Sequence, residues 1–448
     1  MAQTTQSLRP KVSVFGSLQS GANQEVSRNI LLIGRTTVTS APVFGSDFGT
    51  FSEGDTVPYN TPLNLGSVTG KSTGKQLSDL LGLASVFSQN TKLDLSATDE
   101  LASMIISAGM QYEQYTPSEP RYRLLPCNIT VVLIDGASDK TTDPFGASGI
   151  ALTNLSASRT PIDVFVCPYE FDNADVTTTG NYYEQMKNFL EGRFNDGKRD
   201  VGQNQALLFD ITTEPSAFGG LVGGFDTLSI FNLPVDSSTS TFFDVATAGA
   251  MQAVHLCGMQ EPFLGRSGES LPLFPVSVDP AKIISDDNVN TALQCGHSPL
   301  PTLNGTVRQN RIVTSNLLDL TTGLPRDTLL DYQDFKGFLV NMIRLWSRIK
   351  TGGVINSRFN VSPNGTAKVL EKVKNIAFSL DTQMYESGLI AESPRNYSDQ
   401  YEVFLDKNNL NLIRVIKPYY SSTIIFQVEA DVVAKNFTQL LDSFVISF

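Results

Sequence analysis

Several groups of residues in this chain have types and spacings that chemistry can use. The run Gly66-Ser67-Val68-Thr69-Gly70-Lys71-Ser72 has the outline of a phosphate-binding loop. Such a loop cradles phosphate oxygens with backbone N–H groups and needs four residues between its first glycine and the Gly-Lys pair. Here there are three, and Pro58-Tyr59-Asn60-Thr61-Pro62 ahead of it does not read as the buried strand the loop must follow. A nucleotide hydrolase using Lys71 and Ser72 of the 66–72 segment is the enzyme alternative; a basic surface turn is the preferred reading.

The two histidines each have a cysteine two residues away, His255-Leu256-Cys257 and Cys295-Gly296-His297. Two Cys and two His can hold a tetrahedral zinc ion. On a helix, however, residues two apart point roughly 200° from one another, which sets His255 and Cys257 against sharing one ion. Cys127 and Cys167 lie in or beside apolar runs, where cysteine behaves as a small hydrophobe. With no CxxC pair, the four cysteines do not suggest a disulfide framework. No serine occupies a G-x-S-x-G elbow. The acid pairs Asp286-Asp287 and Glu429 with Asp431 read as solvated surface. No catalytic, metal-binding or cofactor-binding constellation emerges, and the expectation is a protein that is not an enzyme.

What remains is charge. Residues 303–374 carry eleven basic residues against five acids, a net +6 that leaves -18 on the rest of a chain whose total is -12. A strong helix is expected over 328–350, capped by Asp327 or Thr328, with Asp331 and Asp334 at its positive end and Gly352-Gly353 stopping it. Placed at steps of about 100°, Phe335, Phe338, Leu339, Met342, Leu345, Trp346 and Ile349 fall on one side. Lys336, Arg344, Arg348 and Lys350 occupy the opposite arc. That arc is either a solvated face or a cationic strip that docks on an acidic partner.

The elements that would position these groups are mixed. A buried strand is expected over 29–34, and loops with short edge strands over 36–75. A helix is expected over 96–110, capped by Ser96, with Leu101, Met104, Ile105 and Ala108 on one face. Strands at 128–135, 162–166, 206–211 and 228–231 alternate with helices at 182–194 and 243–257, which suggests a layered α/β core between about 120 and 300. In the C-terminal third, Ser362-Pro363 opens a helix that carries Val369, Leu370, Val373, Ile376, Ala377, Leu380 and Met384 on one face and ends near Gly388. Strands follow at 410–416 and over Phe426, Val428, Ala430 and Val432, which alternate with polar residues. The last residues, Ser443 to Phe448, again read as extended.

At 448 residues with 41% hydrophobic content, the chain is expected to fold as two or three domains. Its negative charge argues against nucleic acid or an anionic membrane as the main partner. No apolar run approaches the roughly 18–20 residues that span a bilayer. The first residues lack the charged and apolar regions of a secretion signal, so assembly in the cytoplasm is the expectation.

The C-terminal run Gly323-Leu324-Pro325-Arg326-Asp327, the basic helix, the helix from Ser362-Pro363 to Glu386-Ser387-Gly388-Leu389-Ile390, then Val403-Phe404-Leu405-Asp406 and Leu410-Asn411-Leu412-Ile413-Arg414-Val415 resemble the C-terminal domain of contractile phage tail sheath proteins. Ile162-Asp163-Val164-Phe165-Val166-Cys167-Pro168, Leu207-Leu208-Phe209-Asp210-Ile211 and the Ala-rich stretch 246–253 are similar to that family's middle region. The resemblance is strongest over 300–433, looser over 120–280, and does not extend to 36–120.

The resemblance implies a structural subunit that forms stacked six-fold rings around an inner tail tube, with no cofactor and no nucleotide, and that contracts to drive the tube through a bacterial envelope. The fold expected is multi-domain, mixed α+β and α/β: composition and pattern give an N-terminal arm at 1–28 and a loop-rich region at 29–120, and the resemblance implies a middle α/β domain at 121–302, a sheath domain at 303–422 and a C-terminal arm at 423–448. The arm strands would be Lys11, Val12, Val14 and Phe15 at one end, and Phe426, Val428, Val432, Phe444, Val445 and Ile446 at the other, each completing a sheet in a neighbouring subunit. Lys336, Arg344, Arg348 and Lys350 would face the tube. The implied partners are further copies of the chain, the tube protein, and the baseplate and tail terminator proteins, in a virion tail assembled in the host cytoplasm. A tail-derived bacteriocin or extracellular contractile injection system would use the same subunit design. A capsid or surface-layer protein is the other structural alternative.

Overall fold

The computed structural model describes residues 28–36, 41–88, 92–114, 124–158, 160–195, 205–210, 228–232, 244–258, 271, 286–303, 306–315, 344–345, 348–349, 363–386, 390, 392–405 and 413–417. The chain order is β1 (Asn29–Arg35), β2 (Pro62–Ser67), α1 (Lys71–Leu80), β3 (Phe87–Ser88), β4 (Lys92–Leu93), α2 (Glu100–Gln114), β5 (Asn128–Ile134), α3 (Ile150–Ala157), β6 (Val164–Glu170), α4 (Tyr182–Asn195), β7 (Gln205–Asp210), β8 (Leu228–Asn232), α5 (Val245–Cys257), α6 (Asp286–Gln294), β9 (His297–Pro299), β10 (Thr302–Leu303), β11 (Thr306–Val307), α7 (Pro363–Glu386), β12 (Glu402–Leu405) and β13 (Ile413–Ile416). This is the mixed α/β composition expected.

Seven strands form one sheet in the order β2-β5-β1-β6-β7-β8-β9. All pairings are parallel except β2 against β5, which is antiparallel and closes one edge. A parallel sheet needs cover on both faces, so its central strands are apolar without a break. Side-chain alternation then divides β1 between two cores. Ile30 and Leu32 join Ile129, Val131, Leu133, Val164 and Val166 under Leu101, Met104, Ile105 and Ala108 of α2 and Ala250, Met251 and Val254 of α5. Leu31 and Ile33 join Val132, Ile134, Phe165 and Cys167 under Leu155 of α3 and Tyr182, Tyr183, Met186 and Leu190 of α4. The layered core thus starts well before residue 120, because β1 pairs with strands about a hundred residues later.

Other expectations shift. Lys71–Leu80 is a helix where a loop was expected. Its Ser, Thr and Gly content hides it, but a Cβ at Gly74 would lie 2.8 Å from Ile106 Cα, so the glycine lets α1 approach α2 closely. Helix α2 starts at Glu100, not Ser96, whose hydroxyl instead bonds the Asp94 carboxylate at 2.6 Å. It is buried on all sides from Leu101 to Gln111, since α1 and α5 both pack on it. Strand β6 runs from Val164 to Glu170, later than the expected 162–166. Helix α5 begins with the Asp244 carboxylate accepting from the Thr247 N–H at 2.7 Å.

A further core gathers around α7: Val373, Ala377, Leu380 and Met384 pack with Leu345, Ile349, Ile390, Tyr397 and Tyr401. Strands β12 and β13 pair antiparallel beside it, Glu402 opposite Ile416 and Leu405 opposite Ile413. Pro363 opens α7 and Glu386 ends it, close to the expected limits.

Candidate functional site

In a parallel sheet of this strand order, the crevice that binds small ligands lies beyond the carboxyl ends of β1 and β6, where the connections leave in opposite directions. Here side chains fill it. The guanidinium of Arg35, at the end of β1, donates from Nη2 to Glu100 Oε1 at 2.7 Å and from Nε to Glu100 Oε2 at 2.9 Å. It also donates from Nη1 to the Ser138 carbonyl at 3.1 Å and lies 5.4 Å from the ring of Tyr169 on β6. Glu100 holds Arg35 charged, raising its pKa; burial pushes the Glu100 carboxyl up, and the Arg35 bonds oppose that shift. Thr36 donates to Asp99 Oδ1 at 3.1 Å, and the other Asp99 oxygen accepts from the Ala84 N–H at 2.7 Å. A bidentate ion pair occupies the place where an α/β enzyme would seat its ligand.

The loop-like segment at 66–72 does run from a strand into a helix, but the strand is the antiparallel edge β2. At the start of α1 the Lys71 backbone N–H donates to Glu113 Oε2 at 2.7 Å. The N-terminus of a helix attracts anions, and this one already holds a carboxylate of its own chain. Lys71 Nζ lies 4.0 Å over the Phe87 ring. A phosphate placed here would meet Glu113 at contact distance.

Among the described residues, no group of three or more His, Cys, Asp or Glu is arranged to hold a metal ion. His255 and Cys257 are buried within α5. His297 packs with its ring 6.0 Å from that of Phe171, and burial pulls its pKa down to about 4. The buried Cys167 thiol is pushed up to about 12, the opposite of an activated nucleophile.

The remaining site is the basic one. Lys336 and Lys350 lie outside the described residues. Arg344, Leu345, Arg348 and Ile349 are helical, as expected, and Leu345 and Ile349 enter the core. Arg344 is partly buried, which together with nearby Arg348 pulls its pKa down. Arg348 reaches across to α7 and donates to the side-chain oxygen of Gln383. An open groove of about 700 Å³ lies beside it, lined by Arg348, Lys368, Glu371, Lys372, Asn375 and Ser379. The exposed face of α7 therefore adds Lys368 and Lys372 to the basic surface, residues the helical-wheel reading of 328–350 did not reach. The arm residues Lys11, Val12, Val14, Phe15, Phe426, Val428, Val432, Phe444, Val445 and Ile446 also lie outside the described residues.

Beneath that face sits a polar cluster with no obvious sequence motif. Asp381 is fully buried in α7 and accepts from the Tyr401 hydroxyl at 2.5 Å and from Lys417 Nζ at 2.5 Å. Burial lowers the Lys417 pKa against the pull of Asp381; burial and the Asp381 bond raise that of Tyr401. The signal was an acid on the apolar stripe of α7, four residues after Ala377 and three before Met384.

No protein-family profile matches the chain, and no curated protein matches it. Solved structures do. A chain of the anti-feeding prophage baseplate, determined by cryo-electron microscopy with six-fold symmetry, superposes with a TM-score of 0.55 over 97% of this chain and 98% of that one, at 11% identity. This chain has that fold. Sheath tail proteins of Desulfitobacterium hafniense and Listeria innocua align with TM-scores of 0.47 and 0.48, at 11% and 10% identity. Those alignments cover 87% and 92% of this chain, and 93% and 94% of theirs.

Proposed function

We propose that this chain is a structural subunit of a contractile tail sheath, forming stacked six-fold rings around an inner tail tube and contracting to drive that tube through a bacterial envelope. The observation that carries the reading is a fold shared end to end with a chain from a six-fold baseplate assembly. The Arg35–Glu100 pair across the ligand crevice supports a structural rather than an enzymatic role.

The tube contact is assigned to Lys336, Arg344, Arg348 and Lys350. Surface ion pairs are individually weak, which suits a contact that must hold the extended state and then let go. The arms at 1–28 and 423–448 link neighbours by strand addition, whose main-chain hydrogen bonds keep the lattice joined while subunits move. Partners are then other copies, the tube, the baseplate and the terminator, in a tail assembled in the host cytoplasm.

A second reading, the sheath of an extracellular contractile injection system or tail-derived bacteriocin, is favoured by the prophage particle that supplies the shared fold. Negative-stain electron microscopy of the purified chain, alone and with its tube protein, tests the sheath reading. Hollow tubes with six-fold end views are expected; discrete globular particles under both conditions would defeat it.

A further inference from the structure

The basic groove on α7 has a counterpart in charge on the same chain. Lys368 and Lys372 are exposed and stand one helical turn apart, facing Arg348 across the groove, with Glu371 the lining acid. At the carboxyl end of the sheet, the segments leaving β5 and β6 carry exposed Asp135, Asp139, Asp143, Glu170 and Asp172. These strands flank β1, so the acids form a rim along one edge. Among the described residues, two cations stand at this rim: Arg35, paired with Glu100 and bonded to the Ser138 carbonyl, and Lys140, paired with the buried Asp175 at 3.3 Å. Asp172 and Asp175 add their repulsion to burial in raising the Glu170 pKa. Like charges crowded this way gain from an external cation.

We propose that the groove walled by Lys368 and Lys372 receives the Asp135–Asp143 and Glu170–Asp172 rim of a second copy of this chain. The argument is complementarity of charge: a +6 segment inside a chain that is otherwise -18 has its most abundant acidic partner in another copy of itself. Groove and rim are different surfaces, so the contact can be heterologous, each copy offering its groove to one neighbour and its rim to another. Repeated head to tail, such a contact closes into rings or continues as a helix. It rests on the sheath reading for which polymer it builds, and its two lysines, Lys368 and Lys372, are not among the residues assigned to the tube contact.

The test uses the full-length chain, with sedimentation across a concentration series and electron microscopy of the pellets. Lys368→Glu with Lys372→Glu, and separately Glu170→Lys with Asp172→Lys, should each raise the concentration needed for assembly roughly tenfold or more, and added salt should mimic them. Combining all four reversals should bring assembly back towards the unaltered level. Thermal melts establish that each variant folds, and Lys368→Gln with Lys372→Gln gives a milder pair should the reversals not fold. Variants that assemble normally would overturn the proposal and leave the sheath reading intact. Weakening by both pairs without rescue in combination would also overturn it, since the two surfaces would then meet different partners. Non-tubular self-association that shows the reversal and rescue would retain the proposal and defeat the sheath reading. A chain that never self-associates, alone or with its tube protein, would defeat both.

Discussion

Asp381 and Lys417 meet at 2.5 Å with the carboxylate wholly buried, and the Tyr401 hydroxyl occupies its second oxygen. The pair ties the end of β13 to the C-terminal part of α7. Removing one partner strands a charge in the core, a loss of about 3–5 kcal/mol, whereas replacing both with apolar residues is often neutral. Lys417→Met and Asp381→Ala should therefore each lower the urea midpoint sharply, and Asp381→Leu with Lys417→Met should recover most of it. Equal losses in the single and paired variants would mean that packing, not charge, sets the cost.

His297 supplies a pH dependence with a definite sign. Its pKa is about 4 in the folded chain against 6.5 for the free side chain, so the unfolded state binds the extra proton in between. Stability contributed by keeping this ring neutral is present above pH 6.5 and is lost as pH falls towards 4, by about 2 kcal/mol at pH 5. Urea midpoints at pH 7 and pH 5 should differ less in His297→Asn than in the unaltered chain. Identical pH sensitivity would place the effect on the carboxylates instead.

Gly74 sits where α1 crosses α2. Alanine would improve helix propensity by about 1 kcal/mol on an open surface. Here its Cβ would meet backbone, Ile106 Cα at 2.8 Å and the Ile105 carbonyl at 3.0 Å. Gly74→Ala should destabilise by about 1–3 kcal/mol in a thermal melt. A raised melting temperature would mean that the two helices can separate at little cost.

The nucleotide alternative has a direct check. With Glu113 already on the α1 N-terminus, titration with Mg-ATP should give no binding heat in the unaltered chain or in Lys71→Ala. Binding that disappears in Lys71→Ala would restore the hydrolase reading.

Much of the fold was legible because local pattern suffices where burial is one-sided or continuous. The apolar runs Ile30 to Ile33 and Val131 to Ile134 and the stripe from Val373 to Met384 each match their elements. Helix α1 was not legible, since its glycine serves a neighbour 32 residues away and its own sequence is polar. The basic residues could be counted along the chain, but the groove could not, because Arg348 and Lys368 come together only when two helices pack.

Composition and spacing by themselves decided that the chain is an acidic, mixed α/β protein with a basic C-terminal segment and a phosphate-loop outline one residue short. These are local properties, read along the chain. Strand order, the Arg35–Glu100 pair across the ligand crevice and the Asp381–Tyr401–Lys417 cluster were decided by tertiary structure. Each depends on groups between 16 and 134 residues apart meeting in a space that water has left, and hydrophobic packing of distant elements determines which groups those are.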